Sequence, residues 1–248
     1  MTARTRPPRE GLPTGAAKVA AVDAMFDVIA PRYDLCNRVI SLGLDVGWRR
    51  RTVRSLGLAP GQRVLDLACG TGDLCRELQR AALVPVGIDR SAGMLASART
   101  SAPLVRGDAL RLPFLDGALD GIVCGFALRN FAELVPVLSE CARVLRPDGR
   151  VALLEVDTPR RPLMRWGHEI WFGRVVPLVG GLLSATSGAP RARVVDAYRY
   201  LPRSVAYLPS PDELAALVRQ AGFGAVTRQP LSGGIAQLVT AARVVVPG

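Results

Sequence analysis

The feature that most constrains this chain is a glycine turn at the end of an apolar run, where residues 64–73 read Val-Leu-Asp-Leu-Ala-Cys-Gly-Thr-Gly-Asp. Such a run is typical of a buried strand, and apolar residues at helical spacing follow from Leu74. Gly70 and Gly72 have no Cβ, so the chain can turn sharply there and a ligand can approach its backbone. The stretch therefore predicts a strand, a ligand-binding turn and a helix.

An acidic residue follows this turn at the spacing that a bound ribose requires. Asp89 ends the next apolar run, about 20 residues after the turn, and its carboxylate suits paired hydroxyl groups. A similar turn binds nicotinamide dinucleotides, and a strand, turn and helix without any ligand is a further alternative. The Gly-Thr-Gly sequence, together with Asp66 inside the strand, looks like the S-adenosylmethionine (SAM) loop of class I methyltransferases.

Length and composition limit the remaining possibilities. With 248 residues, of which 49% are hydrophobic, the chain can form a single domain with a complete core. Its five cysteines show no Cys-x-x-Cys spacing, which favours reduced thiols in a cytoplasmic protein. His168 is the only histidine, so we expect no metal site and no histidine-based catalysis.

The net charge of +11 is concentrated in two segments. Residues 1–60 contain ten basic and five acidic side chains, residues 159–205 contain eight and two, and the rest of the chain balances. A basic excess suits an anionic membrane, acidic ligands or nucleic acid, whereas a solvated basic surface is the simpler interpretation, favoured for Arg49, Arg50 and Arg51. Because aromatic residues make up only 5% of the chain, we expect no nucleic-acid partner.

Strand-like and helix-like stretches alternate along most of the chain, which predicts a mostly parallel α/β sheet with helices on both faces. We expect a disordered tail over residues 1–17 and one domain over 18–248, which starts with helices in 18–60. Residues 159–205 interrupt the alternation with proline-rich, aromatic and basic sequence, and we interpret them as an inserted lid. The predicted strands are 63–68, 84–89, 104–106, 120–125, 150–156, 225–228 and 236–246, with helices over 73–82, 133–145 and 212–221 and a further helix capped by Ser91.

Four candidate ligand-binding residues fall at the carboxyl ends of predicted strands: Gly70, Asp89, Asp108 and Gly125. In an open α/β sheet, ligands bind beyond these ends, where the strand order reverses. We therefore expect the four residues to meet in one site.

Further motifs accompany the loop. They are Arg-Tyr-Asp-Leu-Cys-Asn at 32–37, Ala-Leu-Arg-Asn at 127–130, Tyr-Arg-Tyr-Leu at 198–201 and Leu-Ser-Gly-Gly at 231–234. With them, the chain resembles the UbiE family, the C-methyltransferases of menaquinone and ubiquinone biosynthesis. The resemblance implies a Rossmann-like class I methyltransferase fold with seven strands, N-terminal helices and an inserted helical lid.

The resemblance also implies SAM as cofactor and a set of residues that hold it. Asp89 would accept hydrogen bonds from the ribose and Asp108 from the adenine amino group, while Gly125 would leave room beside the sulfonium. The whole predicted set is Asp66, Gly70, Thr71, Gly72, Asp89, Asp108, Ala109 and Gly125. The chain departs from the family pattern at 124–125, at Ala127 and after 234, and these departures keep open C- or O-methylation of a soluble phenolic or polyketide metabolite.

The predicted chemistry is methyl transfer to a ring carbon of a prenylated quinol such as demethylmenaquinol. We expect Arg129 to stabilise the phenolate and to hold a water molecule that accepts its proton, because an arginine is not itself a neutral base. Asn130, Tyr33 and Tyr200 are the candidates to position the ring. The alternative for Arg129 is an ion pair with Asp34 or Asp157.

The lid has aromatic residues among arginines, namely Trp166, Trp171 and Phe172. It would cover an isoprenoid tail while its arginines meet anionic headgroups, which predicts a cytoplasmic protein peripheral to the inner face of the plasma membrane. The alternative is that the tryptophans belong to a buried helix pair. We also consider a homodimer.

Overall fold

Seven strands form one sheet in the order β3-β2-β1-β4-β5-β7-β6 in the computed structural model, which describes residues 13–159, 161–175, 200 and 203–244. The strands are β1 (Arg63–Leu67), β2 (Val84–Asp89), β3 (Leu104–Arg106), β4 (Leu119–Gly125), β5 (Leu145–Val156), β6 (Phe223–Leu231) and β7 (Ala236–Arg243). The first five strands are parallel, and β7 runs antiparallel to both β5 and β6. The predicted α/β fold with a mostly parallel seven-stranded sheet is thereby confirmed.

Eight α-helices surround this sheet in the described residues. They are α1 (Gly15–Ile29), α2 (Tyr33–Ile40), α3 (Leu44–Ser55), α4 (Asp73–Arg80), α5 (Ala92–Ala96), α6 (Leu134–Val144), α7 (Pro162–Ile170) and α8 (Pro211–Gln220). Short 3-10 turns lie at Ala30–Arg32, Leu128–Asn130, Val205–Tyr207 and Ser232–Gly234, and a π turn, Trp171–Val175, follows α7.

The two faces of the central strands form separate layers of the core. Along β1, Leu65 and Leu67 belong to the apolar layer that includes α6 and α8, whereas Val64 belongs to the layer under α3 and α4. This alternation follows from the two-residue repeat of a strand. Both faces of the parallel strands are therefore covered by helices, and their carboxyl ends remain available for a site.

Several predicted boundaries differ from the structure. Helix α1 begins at Gly15, inside the predicted tail, of which residues 1–12 lie outside the described part. Strand β5 begins at Leu145 rather than at residue 150, because Leu145 pairs with Leu119 before the register shifts. Strand β6 is longer than predicted at both ends. Much of the predicted lid, residues 176–199 with 160, 201 and 202, lies outside the described part.

Candidate active site

A cavity of about 290 Å³ lies at the carboxyl ends of the parallel strands. The loops after β1, β2, β3 and β4 form its floor and sides, and α1 closes another side with Val19, Val22 and Phe26. The structure brings together seven of the predicted site residues at this cavity: Tyr33, Gly70, Asp89, Asp108, Ala109, Gly125 and Asn130. The four strand-end residues thus meet in one place, as expected from the topology.

The loop after β1 has the backbone conformation that its glycines permit. Gly70 has φ +54° and Gly72 has φ +81°, both in the left-handed region. A Cβ on Gly72 would lie 2.5 Å from Thr100 Cγ2, so a side chain there would also clash. Between the glycines, the Thr71 hydroxyl donates to the Asp34 carboxylate, which ties α2 to the loop.

Asp89 is held by two backbone amides at the edge of the cavity. Its Oδ2 accepts from Gly70 N at 2.8 Å, and its Oδ1 accepts from Ser91 N at 2.9 Å. Burial raises the pKa of Asp89 above its ordinary value, while the two amides oppose this shift. The predicted cap is confirmed, because Ser91 Oγ accepts from Met94 N at 3.0 Å.

The Asp108 carboxylate already has protein partners. Its Oδ1 accepts from Leu110 N at 3.0 Å, and its Oδ2 accepts from Arg90 Nη1 at 2.7 Å. The second Nη of Arg90 donates to Asp23 of α1 at 3.2 Å. Arg90 was not among the predicted site residues, although it borders the cavity and joins α1 to this edge. The adenine contact of Asp108 stays a prediction.

Asp66 lies buried beneath the loop and does not border the cavity, and Thr71 and Gly72 are also not among its described lining residues. Asp66 Oδ2 accepts from Cys75 N at 3.0 Å, near the start of α4, whereas Oδ1 has no hydrogen-bond partner in the part of the chain that the structure describes. Desolvation raises the pKa of Asp66 to about 7. Its position supports the loop and α4 from below.

The Arg129 side chain is buried and pairs with Glu155. The alternative partners, Asp34 and Asp157, are wrong: Asp34 accepts from Thr71, and Asp157 pairs with Arg228. Glu155 was not predicted because its sequence neighbourhood reads as an apolar strand, and only the adjacency of β4 and β5 shows the pair. The contact with a phenolate stays a prediction.

The remaining candidates for ring positioning occupy different environments. Tyr33 borders the cavity and meets Phe26 edge to face, with the ring centroids 5.8 Å apart, and burial raises its pKa. Tyr200 does not border the described cavity. Its hydroxyl is buried and has no hydrogen-bond partner among the described residues, and burial raises its pKa to about 12. Its neighbour Tyr198 lies outside the described residues.

The three consecutive arginines of α3 are not one solvated surface. Arg49 is buried, pairs with Asp45, and contacts Asp73 at 3.1 Å, so the surface interpretation is wrong for this residue. Arg50 forms a 3.4 Å ion pair with Glu77. Arg49 therefore connects α3 to the start of α4, directly below the glycine loop.

A lysine that the sequence did not single out fixes α1 over the site. Lys18 Nζ donates to Phe131 O at 2.6 Å and lies 3.9 Å from the centroid of the Tyr207 ring. The Tyr207 hydroxyl donates to Pro13 O at 2.6 Å. Burial lowers the pKa of Lys18 to about 8. Three chain segments far apart in sequence thus meet beside the cavity.

In the described part of the predicted lid, Trp166 is exposed, whereas Trp171 is hydrogen-bonded to the end of α2. The Trp166 side chain is 63% exposed, so the buried-pair interpretation is wrong for it, whereas Trp171 Nε1 donates to Ile40 O at 2.9 Å. The side chains of Phe172 and His168 lie outside the described part.

No described helix is both long and apolar enough to cross a membrane. The described residues also contain no group of three or more His, Cys, Asp or Glu side chains that could hold a metal ion. All five cysteines lie in the described part of the chain, where each is buried and none forms a disulfide.

Comparison with known proteins gives consistent matches. A family model described as the ubiE/COQ5 methyltransferase family matches residues 14–243. The demethylmenaquinone methyltransferase of Deinococcus radiodurans is 40% identical over 232 residues, covering 90% of this chain and 92% of that protein. The protein of the same name from Thermus thermophilus is 43% identical over 224 residues, covering 86% and 97%.

Solved structures show the same fold at low sequence identity. A SAM-dependent methyltransferase of Thermotoga maritima, described as a possible histamine N-methyltransferase, superposes with a TM-score of 0.61 at 17% identity, covering 88% of this chain and 98% of that one. Phosphoethanolamine N-methyltransferase 2 of Haemonchus contortus, in complex with SAM, has a TM-score of 0.57 at 13% identity, covering 79% and 52%. Similarity at this level supports the fold alone.

Proposed function

The chain belongs to the ubiE/COQ5 methyltransferase family, and from this membership we propose that it uses SAM to methylate a ring carbon of a prenylated quinol of the demethylmenaquinol type. Relatives that are 40% and 43% identical over nearly their whole length are named for that reaction. The observation that carries the proposal is the cavity itself, which joins the glycine loop and Asp89 to an aromatic and aliphatic wall.

The cofactor half of the cavity fits SAM. Asp89 borders it as a carboxylate held by backbone amides, and no Lys or Arg of the described residues forms an ion pair with it. Its remaining lone pairs suit the two ribose hydroxyls. Gly125 also borders the cavity, and a Cβ there would lie 2.9 Å from Leu74 Cδ1, so the position has little room for a side chain. Gly70 and Ala109 would complete the cofactor site.

SAM, when bound, supplies a methyl group on a positively charged sulfur, which is already a strong electrophile. The chain's own residues then align the nucleophilic carbon and exclude water. Phe26 and Phe131 border the cavity with aromatic surface, whereas Tyr33 and Asn130 add a hydroxyl and an amide that can orient the oxygens of a quinol. Tyr200 would act from the predicted lid, and its hydroxyl has no partner among the described residues.

Proton removal does not need a histidine in this arrangement. A quinol ring becomes nucleophilic when a hydroxyl loses its proton, and the ring carbon loses its hydrogen as a proton after the new carbon–carbon bond forms. The titratable groups that border the cavity are Asp23, Tyr33, Asp89, Arg90, Asp108 and Glu133. We assign both protons to water. In this proposal Asp89 binds the ribose, Asp23 and Asp108 both pair with Arg90, and Glu133 is exposed to solvent.

A prenylated substrate also suggests contact with a membrane surface. Leu163 and Trp166 of α7 are 79% and 63% exposed, and basic residues 161 and 165 are exposed beside them. The bond from Trp171 to Ile40 places the end of this segment against α2, whose following turn exposes Leu42. Apolar and basic side chains together suit an anionic membrane surface. The expected homodimer stays a prediction.

The test is methyl transfer from labelled SAM to a short-chain demethylmenaquinol under reducing conditions, with the oxidised quinone as the control substrate. We expect turnover of the quinol alone, because only the quinol can form a phenolate. Mass spectrometry would place the new methyl group on carbon. Tight SAM binding without quinol turnover, or methylation on oxygen, would contradict the proposed substrate reaction.

A matched variant tests the assignment of the cofactor site. Asp89→Asn removes the charge that faces the ribose, and we expect SAM affinity to fall by about 10- to 100-fold, since hydrogen bonds to charged groups contribute about 1.5–3 kcal/mol. Asp157→Asn is the control, because Asp157 pairs with Arg228 away from the cavity. Calorimetric titration measures both, and equal affinities for the two variants would argue against the assignment.

A further inference from the structure

The turn after β4 forms one wall of the cavity in an unusual backbone conformation. Gly125, Phe126, Ala127, Asn130 and Phe131 all border the cavity. Phe126 has φ +59°, in the left-handed region that favours glycine. Residues that keep such a conformation are held there by their surroundings. The contacts that hold Phe126 therefore determine the shape of this wall.

Two hydrogen bonds fix the Phe126 peptide groups. Phe126 N donates to Leu154 O of β5 at 2.7 Å, and Phe126 O accepts from Arg129 Nη1 at 2.7 Å. The second bond joins residues three apart and so closes the turn. It forms only when the Arg129 guanidinium lies in this position. The Phe126 ring packs near Trp48, with the ring centroids 6.3 Å apart.

The guanidinium is in turn fixed by Glu155, which is 0% exposed. Glu155 Oε1 accepts from Arg129 Nη1, and Oε2 accepts from the Arg129 backbone amide at 3.3 Å. Val156 N donates to the same carboxylate at 2.9 Å. Glu155 stands at the end of β5, beside the β4 end, where Gly125 pairs with Leu154. The Glu155 carboxylate therefore holds the turn at two points. It binds the Arg129 backbone amide directly, and it fixes the guanidinium that binds Phe126 O.

Arg129 also contacts the chain that returns from the predicted lid. Its Nε donates to Ser204 Oγ at 3.0 Å, and Ser204 is buried. Three residues on, Tyr207 packs against Lys18 of α1, whose Nζ contacts Phe131 O in the same turn. The turn is thus linked to the sheet, to α1 and to the returning segment.

We propose that Glu155 and Arg129 are positioning residues for methyl transfer, which hold the 125–131 turn so that Phe126 and Asn130 face the cofactor and the ring. The inference rests on the proposed function. It gives Arg129 a role through the protein rather than through the substrate, because Glu155 neutralises the guanidinium that a phenolate would otherwise meet. A misplacement of about 1 Å at this wall would cost about 100-fold in rate.

The test compares Glu155→Gln with Asp157→Asn. Both changes neutralise a carboxylate at the end of β5, and each carboxylate has an arginine partner, but Asp157 pairs with Arg228 of β6. We expect Glu155→Gln to weaken SAM binding several-fold and to lower kcat by about 10- to 100-fold, with the pH midpoint of kcat unchanged. Asp157→Asn should stay within about twofold of wild type in both measurements. Equal behaviour of the two folded variants would overturn the inference.

Arg129→Met/Glu155→Leu separates positioning from charge compensation. This pair removes both charges and keeps the volume, a replacement that buried ion pairs often tolerate without loss of folding. We expect a folded protein that keeps the defects of Glu155→Gln, because the bond to Phe126 O is gone. Recovery of SAM affinity and turnover would show that the pair serves stability alone, and would overturn the inference.

A direct contact between Arg129 and the phenolate has its own signature. With Glu155→Gln, an uncompensated guanidinium would stabilise the phenolate more strongly, so kcat would be kept or raised and its pH midpoint would fall. That result would overturn the positioning role. SAM binding is measured without a quinol, so weaker binding by Glu155→Gln alone would support the inference even if the quinol proves to be the wrong substrate.

Discussion

At the scale of single residues, Asp66 supports the glycine loop at a cost in the free energy of folding. Its carboxylate is fully buried. Oδ2 accepts from the Cys75 amide, and no described residue forms a hydrogen bond with Oδ1. Desolvation raises its pKa to about 7, and the nearby Asp89 charge adds to the effect. A buried acid with one unpaired oxygen is a source of strain that water would relieve on unfolding.

We therefore expect Asp66 to affect how the free energy of unfolding depends on pH. Between an unfolded pKa of about 3.9 and the folded value, the folded state binds more protons, so the free energy of unfolding falls as the pH rises to about 7 and then levels off. Asp66→Asn should remove the part of that slope that Asp66 causes, on the order of 2–4 kcal/mol between pH 4 and pH 8, while the raised pKa of Asp89 should leave a smaller slope of the same sign. Urea denaturation of both proteins across this range measures it. A variant that keeps the wild-type slope would show that other groups cause it.

At the scale of elements, α1 is docked through the short helix α5. Asp27 accepts from the Ser91 hydroxyl at 2.6 Å and from Gly93 N at 3.1 Å, so the start of α5 is capped by a residue of α1. A Cβ on Gly93 would lie 3.0 Å from both Asp27 Cα and Asp27 Oδ1. Gly93 is thus a point of close contact between the two helices.

Two glycine substitutions should consequently have opposite effects. Gly93→Ala would improve helix propensity but push α1 from the cavity, so we expect lower stability, by about 1–3 kcal/mol, and weaker SAM binding. Gly47→Ala in α3 meets nothing within 4 Å and should stabilise by about 0.5–1 kcal/mol. Thermal unfolding and SAM titration test the pair. If Gly93→Ala behaves like Gly47→Ala, α1 does not depend on this close contact.

The sequence predicted the elements well because hydrophobic periodicity is local. The ends of β2 and β3 agree with the structure, and the strand-end residues meet as the topology requires. Pairings between side chains were predicted less well, because they depend on which elements become neighbours. Arg129 and Glu155 are 26 residues apart, and Lys18 and Phe131 are 113 apart. No local pattern distinguishes Glu155 from Asp157 as a partner, since strand adjacency and side-chain direction decide it.

At the scale of the whole molecule, the edge that contains the cavity also contains the exposed apolar side chains of α7. The opposite edge, where the parallel strands begin, exposes Leu115 to 83% in the turn before β4. Exposed apolar side chains thus occur at both ends of the parallel strands, and only those of α7, at the cavity end, are expected to contact a membrane.

Vesicle sedimentation can distinguish the two edges. Leu163→Ala/Trp166→Ala should reduce binding to vesicles with anionic lipid by about 100-fold or more, because burying such side chains contributes about 1.5–3 kcal/mol each and about 1.4 kcal/mol corresponds to tenfold. Leu115→Ala should bind like wild type. Raising the salt to about 1 M, where the Debye length is about 3 Å, should weaken binding by all three proteins. Equal loss in both variants, or no binding by wild type, would contradict a membrane-facing α7.

The antiparallel course of β7 places the two ends of the described chain on opposite sides of the molecule. Because Arg150 pairs with Ala242 and Val156 with Ala236, β7 runs away from the cavity and ends beside the beginning of β5. Pro13, in contrast, is held at the cavity side by the Tyr207 hydroxyl. An affinity tag or a surface anchor fused after β7 would therefore leave the substrate entrance unobstructed, whereas the same fusion before α1 would crowd it.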